Sequence, residues 1–270
     1  MHANILKKGC VLAGGIISAV FTIVPEEYFQ CGIVTCNWPD ATIVFINRLF
    51  FCAAVIILAC VGYYCYLKLR RAVSISDRTF LLKIEYKDLY KVKNGKKVIN
   101  FDECFSVNVG RKPEDIKPGS VCGQYLEKHP IDDMQSLIQA SGIQSYGVSL
   151  YNNKPKYISG TIIPKDDFFL MAFAKLDENG LGRMSYVEYL DCLDKLWEQI
   201  DLYHGTEDVY LPILGSGITR FDKELSQQEL LDVMIASYRL SPKKMKKPNT
   251  LHIVCKECDD FSLNHIIGVD

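Results

Sequence analysis

The sequence lacks both an excess of charge and a regular framework of metal-binding or disulfide-forming residues. Its 31 basic and 32 acidic residues nearly cancel, so the strong positive field typical of nucleic-acid-binding proteins is absent. The 11 cysteines are scattered, and the 5 histidines show no spacing that suits metal ligation. We therefore expect no nucleic-acid partner, no resident metal or organic cofactor, and cysteines that are mostly reduced and inert.

Two further signatures are missing. Ser216 lies two residues after Leu214 rather than after a glycine, so the nucleophile-elbow pattern of hydrolases is not met. No small-x-small cleavage site follows the apolar run that ends at Val24, which disfavours a cleaved signal peptide as the alternative for this run. The sequence therefore assigns no catalytic dyad, and it favours an N-terminal segment that stays in the protein.

Two apolar runs, Lys8 to Val24 and Leu49 to Leu67, stand out near the N-terminus. The second run has about 19 residues, enough to cross a hydrocarbon core of about 30 Å as a helix. Basic residues flank the outer ends of the pair, whereas the connecting loop is acidic; the basic residues are Lys7, Lys8, Lys68, Arg70 and Arg71. Basic flanks stay on the cytoplasmic side, so residues 1–71 are predicted to form a transmembrane hairpin in the cytoplasmic membrane with both ends in the cytoplasm.

Several features of the hairpin leave alternatives open. Arg48 either reaches the headgroups from the outer end of the second helix or lines a pore. Gly14-Gly15 and Ala53-Ala54 permit the close helix contacts that a homo-oligomer of short spans requires. Cys31 and Cys36 in the loop either form a disulfide or stay as free thiols. Two helices cannot enclose a pore, so a pore needs several copies of the chain.

After Arg71 the composition changes, and Ala72 to Arg78 is interpreted as a linker into a soluble domain of residues 72–270. Apolar alternation or continuous apolar runs predict strands, and amphipathic spacing predicts helices. The predicted strands are Phe80–Tyr86, Lys97–Phe101, Phe168–Ala174, Val209–Leu214 and Leu251–Cys255, and the predicted helices are Asp132–Ala140, Ser185–Leu202 and Lys223–Leu240. Continuous apolar strands are buried on both faces, so we expect an α/β fold of three layers, α/β/α, with a mixed sheet.

Two loops of small residues carry the main chemical signal. Gly215-Ser216-Gly217 follows the predicted strand that ends at Leu214, and a helix is expected to begin near Asp222. Gly119-Ser120-Val121-Cys122-Gly123 enters another predicted helix. Glycines let backbone amides approach an anion closely, and open α/β sheets bind ligands at the carboxyl ends of their strands. The two loops together predict a site for the two phosphates of one pyrophosphate.

Around these loops, residues 78–260 resemble the macro domain, a family that binds ADP-ribose and related nucleotides. Lys87-Asp88-Leu89 is similar to the family's Gly-Asp-Ile element, whose acidic residue holds the adenine amino group. Val98 to Glu103 stands where the family has Ile-Val-Asn-Ala-Ala-Asn. Two departures are Lys87 in place of a glycine, and Glu103 in place of an asparagine that is associated with the distal ribose and with hydrolysis. The resemblance therefore implies binding more strongly than catalysis.

The resemblance also implies which residues contact the ligand. Asp88 holds adenine, the amides of the two loops hold the pyrophosphate, and Arg220 adds positive charge beside the phosphates. The implied ligand-binding residues are Asp88, Leu89, Asn100, Asp102, Glu103, Ser120, Val121, Cys122, Gly123, Gly215, Ser216, Gly217, Ile218, Thr219, Arg220 and Phe221.

Two membrane spans followed by such a domain resemble the transmembrane-macro effectors of type II Thoeris anti-phage defence. In those systems a TIR-domain partner consumes NAD and releases an ADP-ribose-derived signal, after which the effector damages the cell envelope in abortive infection. The resemblance implies a sensor of an ADP-ribose conjugate that works as a homo-oligomer at the lipid membrane. Two other classes stay open. One is a membrane-anchored ADP-ribosyl hydrolase in which Asn100, Asp102 and Glu103 position water, and the other is a membrane-tethered interaction module that binds no nucleotide.

Three motifs have simpler structural explanations than the functions they suggest. Residues 177–188 fit part of a calcium loop, but Leu181 occupies a position that needs an oxygen ligand, and a helix capping box that starts at Ser185 explains the pattern. The cysteine pair at 255–258 has no second pair at zinc spacing. The lysine run at 243–247 is expected to be solvated surface, with contact to anionic lipid headgroups as the alternative.

Overall fold

The computed structural model describes residues 2–30, 39–258 and 261–266, with side chains from residue 6 onward. The chain forms two compact units, Met1–Arg70 and Arg71–Asp270. All nine described cysteines are free thiols. Cys31 and Cys36, for which the sequence leaves a disulfide open, lie outside the described residues.

The first unit is a pair of antiparallel helices, α1 (His2–Ile23) and α2 (Asp40–Leu69). Gly9, early in α1, faces Cys60, late in α2, so closely that a Cβ on Gly9 would lie 2.6 Å from the Cys60 sulfur. Both helices are long and apolar enough to cross a membrane, judged by length and composition. The second helix is longer than the predicted run from Leu49, because the more polar residues before that position continue the same helix.

Arg48 is held within the hairpin by several contacts. Its guanidinium lies 2.8 Å from a carboxylate oxygen of Glu26 and 5.1 and 5.3 Å from the ring centres of Phe21 and Phe29. The side-chain amide of Asn47 donates to the carbonyl oxygen of Phe29 at 2.9 Å. Ion pairing and cation–π contact lower the cost of an arginine within an apolar helix. The pore-lining alternative gains no support from these contacts.

In the residues that the structure describes, the second unit has one nine-stranded mixed sheet and four α-helices. The strands are β1 (Ala72–Ser76), β2 (Leu81–Tyr86), β3 (Lys96–Asp102), β4 (Gly147–Val148), β5 (Pro155–Lys156), β6 (Ile162–Lys165), β7 (Phe168–Leu176), β8 (Gly182–Met184), β9 (Val209–Pro212), β10 (Arg220–Phe221) and β11 (Leu251–Cys255). The helices are α3 (Val121–Lys128), α4 (Met134–Ser141), α5 (Tyr186–Tyr203) and α6 (Gln227–Leu240).

The sheet has the strand order β1-β2-β11-β9-β3-β7-β8-β10, and β6 also pairs with β7. Its centre, from β2 to β7, is parallel, whereas β1 and β6 run antiparallel to their neighbours, and β8 is antiparallel to β7 but parallel to β10. β4 and β5 pair only with each other. The carboxyl ends of the central strands therefore meet at one edge of the sheet, where the loops after β3 and β9 begin.

Helices cover both faces of the sheet. In β7, Phe169, Met171 and Phe173 join a buried core with α5 and α6, whereas Leu170 and Ala172 join a second core with α3 and α4. Successive strand residues point to opposite faces, so burial on both faces requires an unbroken apolar run. The predicted three-layer α/β/α fold with a mixed sheet is confirmed.

The segment from Ala72 to Arg78 is not a linker, in contrast to the sequence-based interpretation. Its first five residues form β1, which pairs antiparallel with β2 at the edge of the sheet. Val73 and Ile75 are buried while the two serines between and after them are exposed, which is the two-residue period of a half-covered strand. The sequence pattern does not predict this strand, because the strand is short and directly follows the basic residues that flank the hairpin.

The helix predicted over Lys223–Leu240 begins later than expected. α6 starts at Gln227, and β10 occupies the end of the predicted glycine loop. The N-cap residue is Ser226, whose hydroxyl oxygen accepts from the N–H of Glu229 at 3.2 Å, while the Glu229 carboxylate accepts from the Ser226 N–H at 2.8 Å. This capping box determines the start of the helix, and the residues before it lack helical hydrogen bonds.

Removing that cap gives a measurable loss of stability. Ser226→Ala is expected to lower the free energy of unfolding by about 1 kcal/mol, because it removes an acceptor for an amide at the helix start. Chemical denaturation of the full chain in detergent measures the change. Ser74→Ala, at an exposed serine without a side-chain hydrogen bond in the described structure, is the control, and an equal loss in both variants would contradict the assignment.

Candidate functional site

The carboxyl ends of β3 and β7 open into a cleft of about 640 Å³, measured with its open mouth. Parallel α/β sheets bind their ligands at this edge. Six residues predicted from the sequence line the cleft: Asn100, Asp102, Ser120, Cys122, Ile218 and Thr219. The fold therefore brings together the end of β3, the start of α3 and the loop after β9.

Asn100 presents an unpaired hydrogen-bond acceptor to the cleft. Its Oδ1 atom is buried and accepts no hydrogen bond from the described residues. A buried polar atom without a partner costs about 1–3 kcal/mol, and native structures contain few of them. This atom can accept a hydrogen bond from a hydroxyl or amino group placed in the cleft.

Asp102 forms a tight turn at the end of β3. Its Oδ1 atom accepts from the N–H groups of Cys104 at 2.8 Å and Ser106 at 3.2 Å. The register between β3 and β7 shifts after Phe101, and Phe105 adopts a left-handed φ of 51°. Burial raises the pKa of the Asp102 carboxyl above its usual range, although these hydrogen bonds oppose the shift. Asp102 is therefore an acidic group of the cleft that holds its proton to a higher pH than an exposed aspartate.

The first glycine loop is the capped start of α3. The Ser120 hydroxyl accepts from the N–H of Gly123 at 3.0 Å, and the Ser120 N–H donates to the carbonyl oxygen of Lys117 at 2.9 Å. Within the described chain, the N–H groups of Val121 and Cys122 have no hydrogen-bond acceptor. They lie at the positive end of a helix, which is a site for an anion. Cys122 and Gly123 belong to the helix itself rather than to the predicted loop.

Contacts within the second glycine loop determine its conformation. Gly215 has a left-handed φ of +81°, and a Cβ there would lie 2.7 Å from the ring of Phe221. The hydroxyl of Ser216 donates to the carbonyl oxygen of Ile213 at 2.8 Å. In contrast, a Cβ on Gly217 would meet nothing within 4 Å. Gly215 therefore serves the fold, whereas the open space beside Gly217 is available to a ligand.

The adenine-binding segment implied by the resemblance lies against the first loop. Asp88 is exposed, and its Oδ1 atom accepts from the N–H of Tyr90 at 2.9 Å. The hydroxyl of Tyr90 donates to the carbonyl oxygen of Val121 at the start of α3. Leu89 is 5% exposed and packs in the core beneath α3. Asp88 therefore lies beside the first glycine loop, although it does not line the cleft.

Glu103 does not line the cleft. It is 2% exposed, its Oε2 atom accepts from the hydroxyl of Tyr146 at 2.6 Å, and its Oε1 atom accepts from the N–H of Leu176 at 3.0 Å. Both carboxylate oxygens are therefore engaged by the protein. This arrangement does not suit a group that contacts the distal ribose or positions water.

Arg220 and Phe221 also lie away from the cleft lining. The parallel pairing of β10 with β8 sets Arg220 opposite Arg183, and both arginines line a neighbouring groove of about 560 Å³. Phe221 lines the same groove and packs on Gly215. Arg220 therefore lies in a different groove from the cleft that the two glycine loops border.

Part of the cleft lining was not predicted from the sequence. Leu176, Gly180 and Gly182 line it from the end of β7 and the turn that follows, and residues 113–116 line another part. Gly180 adopts a left-handed φ of +75°. Leu176 and the two glycines carry no ligand-binding side-chain chemistry, so for this part of the lining the sequence offered no signal beyond the glycines of the apparent calcium loop.

The capping box predicted at Ser185 is confirmed, but the residues before it form a turn between β7 and β8 rather than a loop that leads directly from a strand into the helix. Asp177 accepts from two N–H groups of its own turn and pairs with Arg183 at 2.6 Å. Ser185 caps α5 in a complete capping box, and its partner Glu188 pairs with Lys175 at 2.6 Å. In the part of the chain that the structure describes, no group of three or more histidine, cysteine or acidic residues is arranged to hold a metal ion.

The family model described as "Thoeris protein ThsA, Macro domain" matches residues 82–256. The Thoeris protein ThsA of Bacillus amyloliquefaciens (strain Y2) is 28% identical over 200 residues, which cover 68% of this chain and 65% of that relative. The chain therefore matches slightly less than two thirds of the relative's own length.

Among solved structures, a macrodomain of Oceanobacillus iheyensis with ADPR has a TM-score of 0.45 at 9% identity, covering 69% of this chain and 90% of that one. The macrodomain of Thermus aquaticus DarG has a TM-score of 0.40 at 16% identity, covering 64% and 97% of the two chains. The family model, in contrast, extends over well over half of the sequence and contains both glycine loops. The chain therefore belongs to the Thoeris ThsA macro-domain family.

Proposed function

We propose that residues 71–270 are a sensor that binds an ADP-ribose-derived signal in anti-phage defence. The observation that carries this proposal is the cleft itself, which is lined by Asn100 with its buried acceptor, by the start of α3, and by Ile218, which follows Gly217 in the second glycine loop. A nucleotide with a pyrophosphate and ribose hydroxyls supplies the anion and the donors that these groups lack. Family membership and the solved macrodomain that holds ADPR support the same class of ligand.

In the proposed complex each of the two glycine loops binds one phosphate of the ligand. The N–H groups of Val121 and Cys122 donate to one phosphate, and the amides from Ser216 to Ile218 donate to the other. Asp88 accepts from the adenine amino group, and the Oδ1 atom of Asn100 accepts from a ribose hydroxyl. Arg220 attracts the anionic ligand from the neighbouring groove rather than by direct contact.

The hairpin is the proposed effector part. Its two apolar helices cross the cytoplasmic membrane with both ends in the cytoplasm, because basic residues flank the outer ends of the pair. A ligand shifts an equilibrium only if it binds one state more tightly, so the signal favours a homo-oligomer in which hairpins gather and damage the membrane. The signal comes from a TIR-domain partner that consumes NAD.

A second candidate function, an ADP-ribosyl hydrolase, is favoured by one observation. Asp102 is an acidic group in the cleft whose pKa is raised by burial, as a general acid or base requires. Glu103 weighs against this candidate, because both of its carboxylate oxygens accept protein hydrogen bonds. We therefore rank the sensor first.

One experiment separates these functions. The full chain in lipid vesicles loaded with a fluorescent dye is mixed with NAD that a TIR-domain enzyme has consumed, and dye release and nucleotide products are measured together. The sensor predicts release with the nucleotide recovered unchanged. Turnover of the nucleotide without release supports the hydrolase, and neither turnover nor release supports the tethered interaction module.

Binding to the cleft is expected to strengthen as the pH falls. An anionic ligand disfavours the charged form of Asp102, so binding is coupled to proton uptake by a carboxyl whose pKa burial already raises. Calorimetry is expected to give an affinity for ADP-ribose several-fold higher at about pH 5 than at about pH 8. Asp102→Asn keeps the acceptor for the Cys104 and Ser106 amides and is expected to remove most of this dependence. An unchanged pH profile in this variant would show that Asp102 is not the group that couples binding to proton uptake.

A further inference from the structure

A small ribbon beside the cleft has no role in the binding scheme so far. Strands β4 and β5 pair only with each other, and residues 146–156, which we call the ribbon, lie outside the main sheet. At its base the N–H of Tyr146 donates to the carbonyl oxygen of Lys156 at 3.0 Å. Near its tip the N–H of Ser149 donates to the carbonyl oxygen of Lys154 at 2.9 Å. Two-stranded ribbons are only marginally stable alone, so contacts with other elements determine the ribbon's position.

The base of the ribbon is fastened by Glu103. One carboxylate oxygen accepts from the hydroxyl of Tyr146 at 2.6 Å, and the other accepts from the N–H of Leu176 at 3.0 Å. Directly after the ribbon, the N–H of Tyr157 donates to the carbonyl oxygen of Glu103 at 2.8 Å. One residue behind the cleft therefore joins the ribbon to the end of β7.

The tip of the ribbon lies on the rim of the cleft. The ring of Tyr151 covers Gly180 so closely that a Cβ on Gly180 would lie 2.6 Å from the ring. Gly180 is itself part of the cleft lining. Burial raises the pKa of the Tyr151 hydroxyl, and so do the carboxylates of Glu114 and Asp115, which line another part of the cleft. Tyr151 is therefore near two separate parts of the rim.

Burying a carboxylate in order to hold a surface ribbon costs free energy. Its burial is favourable only while its hydrogen bonds are made, and loss of one partner leaves a poorly solvated charge. The arrangement therefore favours a single position of Tyr146, and with it a single position of the ribbon tip. An apolar contact of the same size would stabilise the ribbon without such a sharp preference for one geometry.

We propose that Glu103 is a positioning residue, which through Tyr146 holds the ribbon tip on the Gly180 rim so that the ribbon acts as a lid on the cleft. The inference rests on the proposed binding of ADP-ribose and deepens it, because it says what retains the nucleotide. Glu103 then affects the ligand only through the ribbon. A nucleotide leaves when the ribbon opens.

The first test uses Tyr146→Phe in the full chain in detergent, a change that removes one hydroxyl. We expect amide hydrogen exchange in residues 146–156 to become faster and ADP-ribose to dissociate about tenfold faster, since a hydrogen bond to a charged group is lost. Tyr203→Phe removes a hydroxyl that makes no hydrogen bond in the described part of the chain, and it should change neither rate. Faster exchange with unchanged dissociation would overturn the lid, as would a lower melting temperature alone.

The second test separates positioning from direct contact. Glu103→Gln, Tyr146→Phe and the double variant are titrated with ADP-ribose. If Glu103 acts only through Tyr146, the double variant binds no more weakly than the weaker single variant. If Glu103 contacts the nucleotide, the two losses multiply, and the proposal is wrong.

Failure of this inference is distinguishable from failure of the proposed function. If the wild-type chain binds no ADP-ribose, the proposed function fails, and the lid with it. Amide hydrogen exchange of the protein without ligand still tests whether Glu103 holds the ribbon in place. Unchanged exchange in residues 146–156 of Tyr146→Phe would show that Glu103 does not hold the ribbon.

Discussion

Replacing Gly217 by valine is expected to weaken ADP-ribose binding at least about 100-fold while the domain stays folded, because a single side chain then occupies the space of a phosphate. A Cβ at this position meets nothing within 4 Å in the unliganded protein, so the fold has no reason to resist the substitution. Backbone amides bind a phosphate only at close approach, and the valine methyl groups prevent it. Calorimetry of the full chain in detergent measures the loss.

The chain offers a matched control for this experiment. Gly62 in α2 also has nothing within 4 Å of a built Cβ, so Gly62→Val adds the same side chain far along the sequence from the cleft. It should bind ADP-ribose as the wild type does. Equal binding by Gly217→Val and the wild type would show that this loop does not hold the phosphate.

Asn100→Leu is expected to separate binding from stability. The Oδ1 atom of Asn100 is buried without a donor in the described structure, so an apolar side chain of similar size should leave the melting temperature unchanged or raise it. The same change removes the acceptor for a ligand hydroxyl, and the affinity for ADP-ribose should fall about 10- to 100-fold.

Thermal unfolding and calorimetry on the same preparation decide this prediction. Asn94→Leu, at an exposed asparagine in the turn before β3, controls for added apolar surface. A lower melting temperature with unchanged affinity would mean that Asn100 serves the fold and that its acceptor faces no ligand.

The sequence identifies the central strands because parallel strands buried on both faces need unbroken apolar runs, as Leu251 to Cys255 shows. It does not identify β1, whose five residues carry only Val73 and Ile75 as buried positions. The start of α6 is also missed, because the decisive signal is the reciprocal pair of Ser226 and Glu229 rather than apolar spacing.

The candidate site is predictable where the backbone carries the chemistry. Small residues after a strand or before a helix indicate open amides, and the structure places Ser120 and Ile218 on one cleft. Side-chain direction is not predictable in the same way. Glu103 follows Asp102 directly, yet Asp102 lines the cleft whereas Glu103 is buried against the ribbon.

The most direct test of the account is a calorimetric titration of the full chain in detergent micelles with ADP-ribose, followed by analysis of the recovered nucleotide. The account predicts saturable binding at one site per chain, loss of that binding in Gly217→Val, and recovery of intact ADP-ribose. Absence of binding by the wild-type chain to ADP-ribose and to its conjugates would contradict the account.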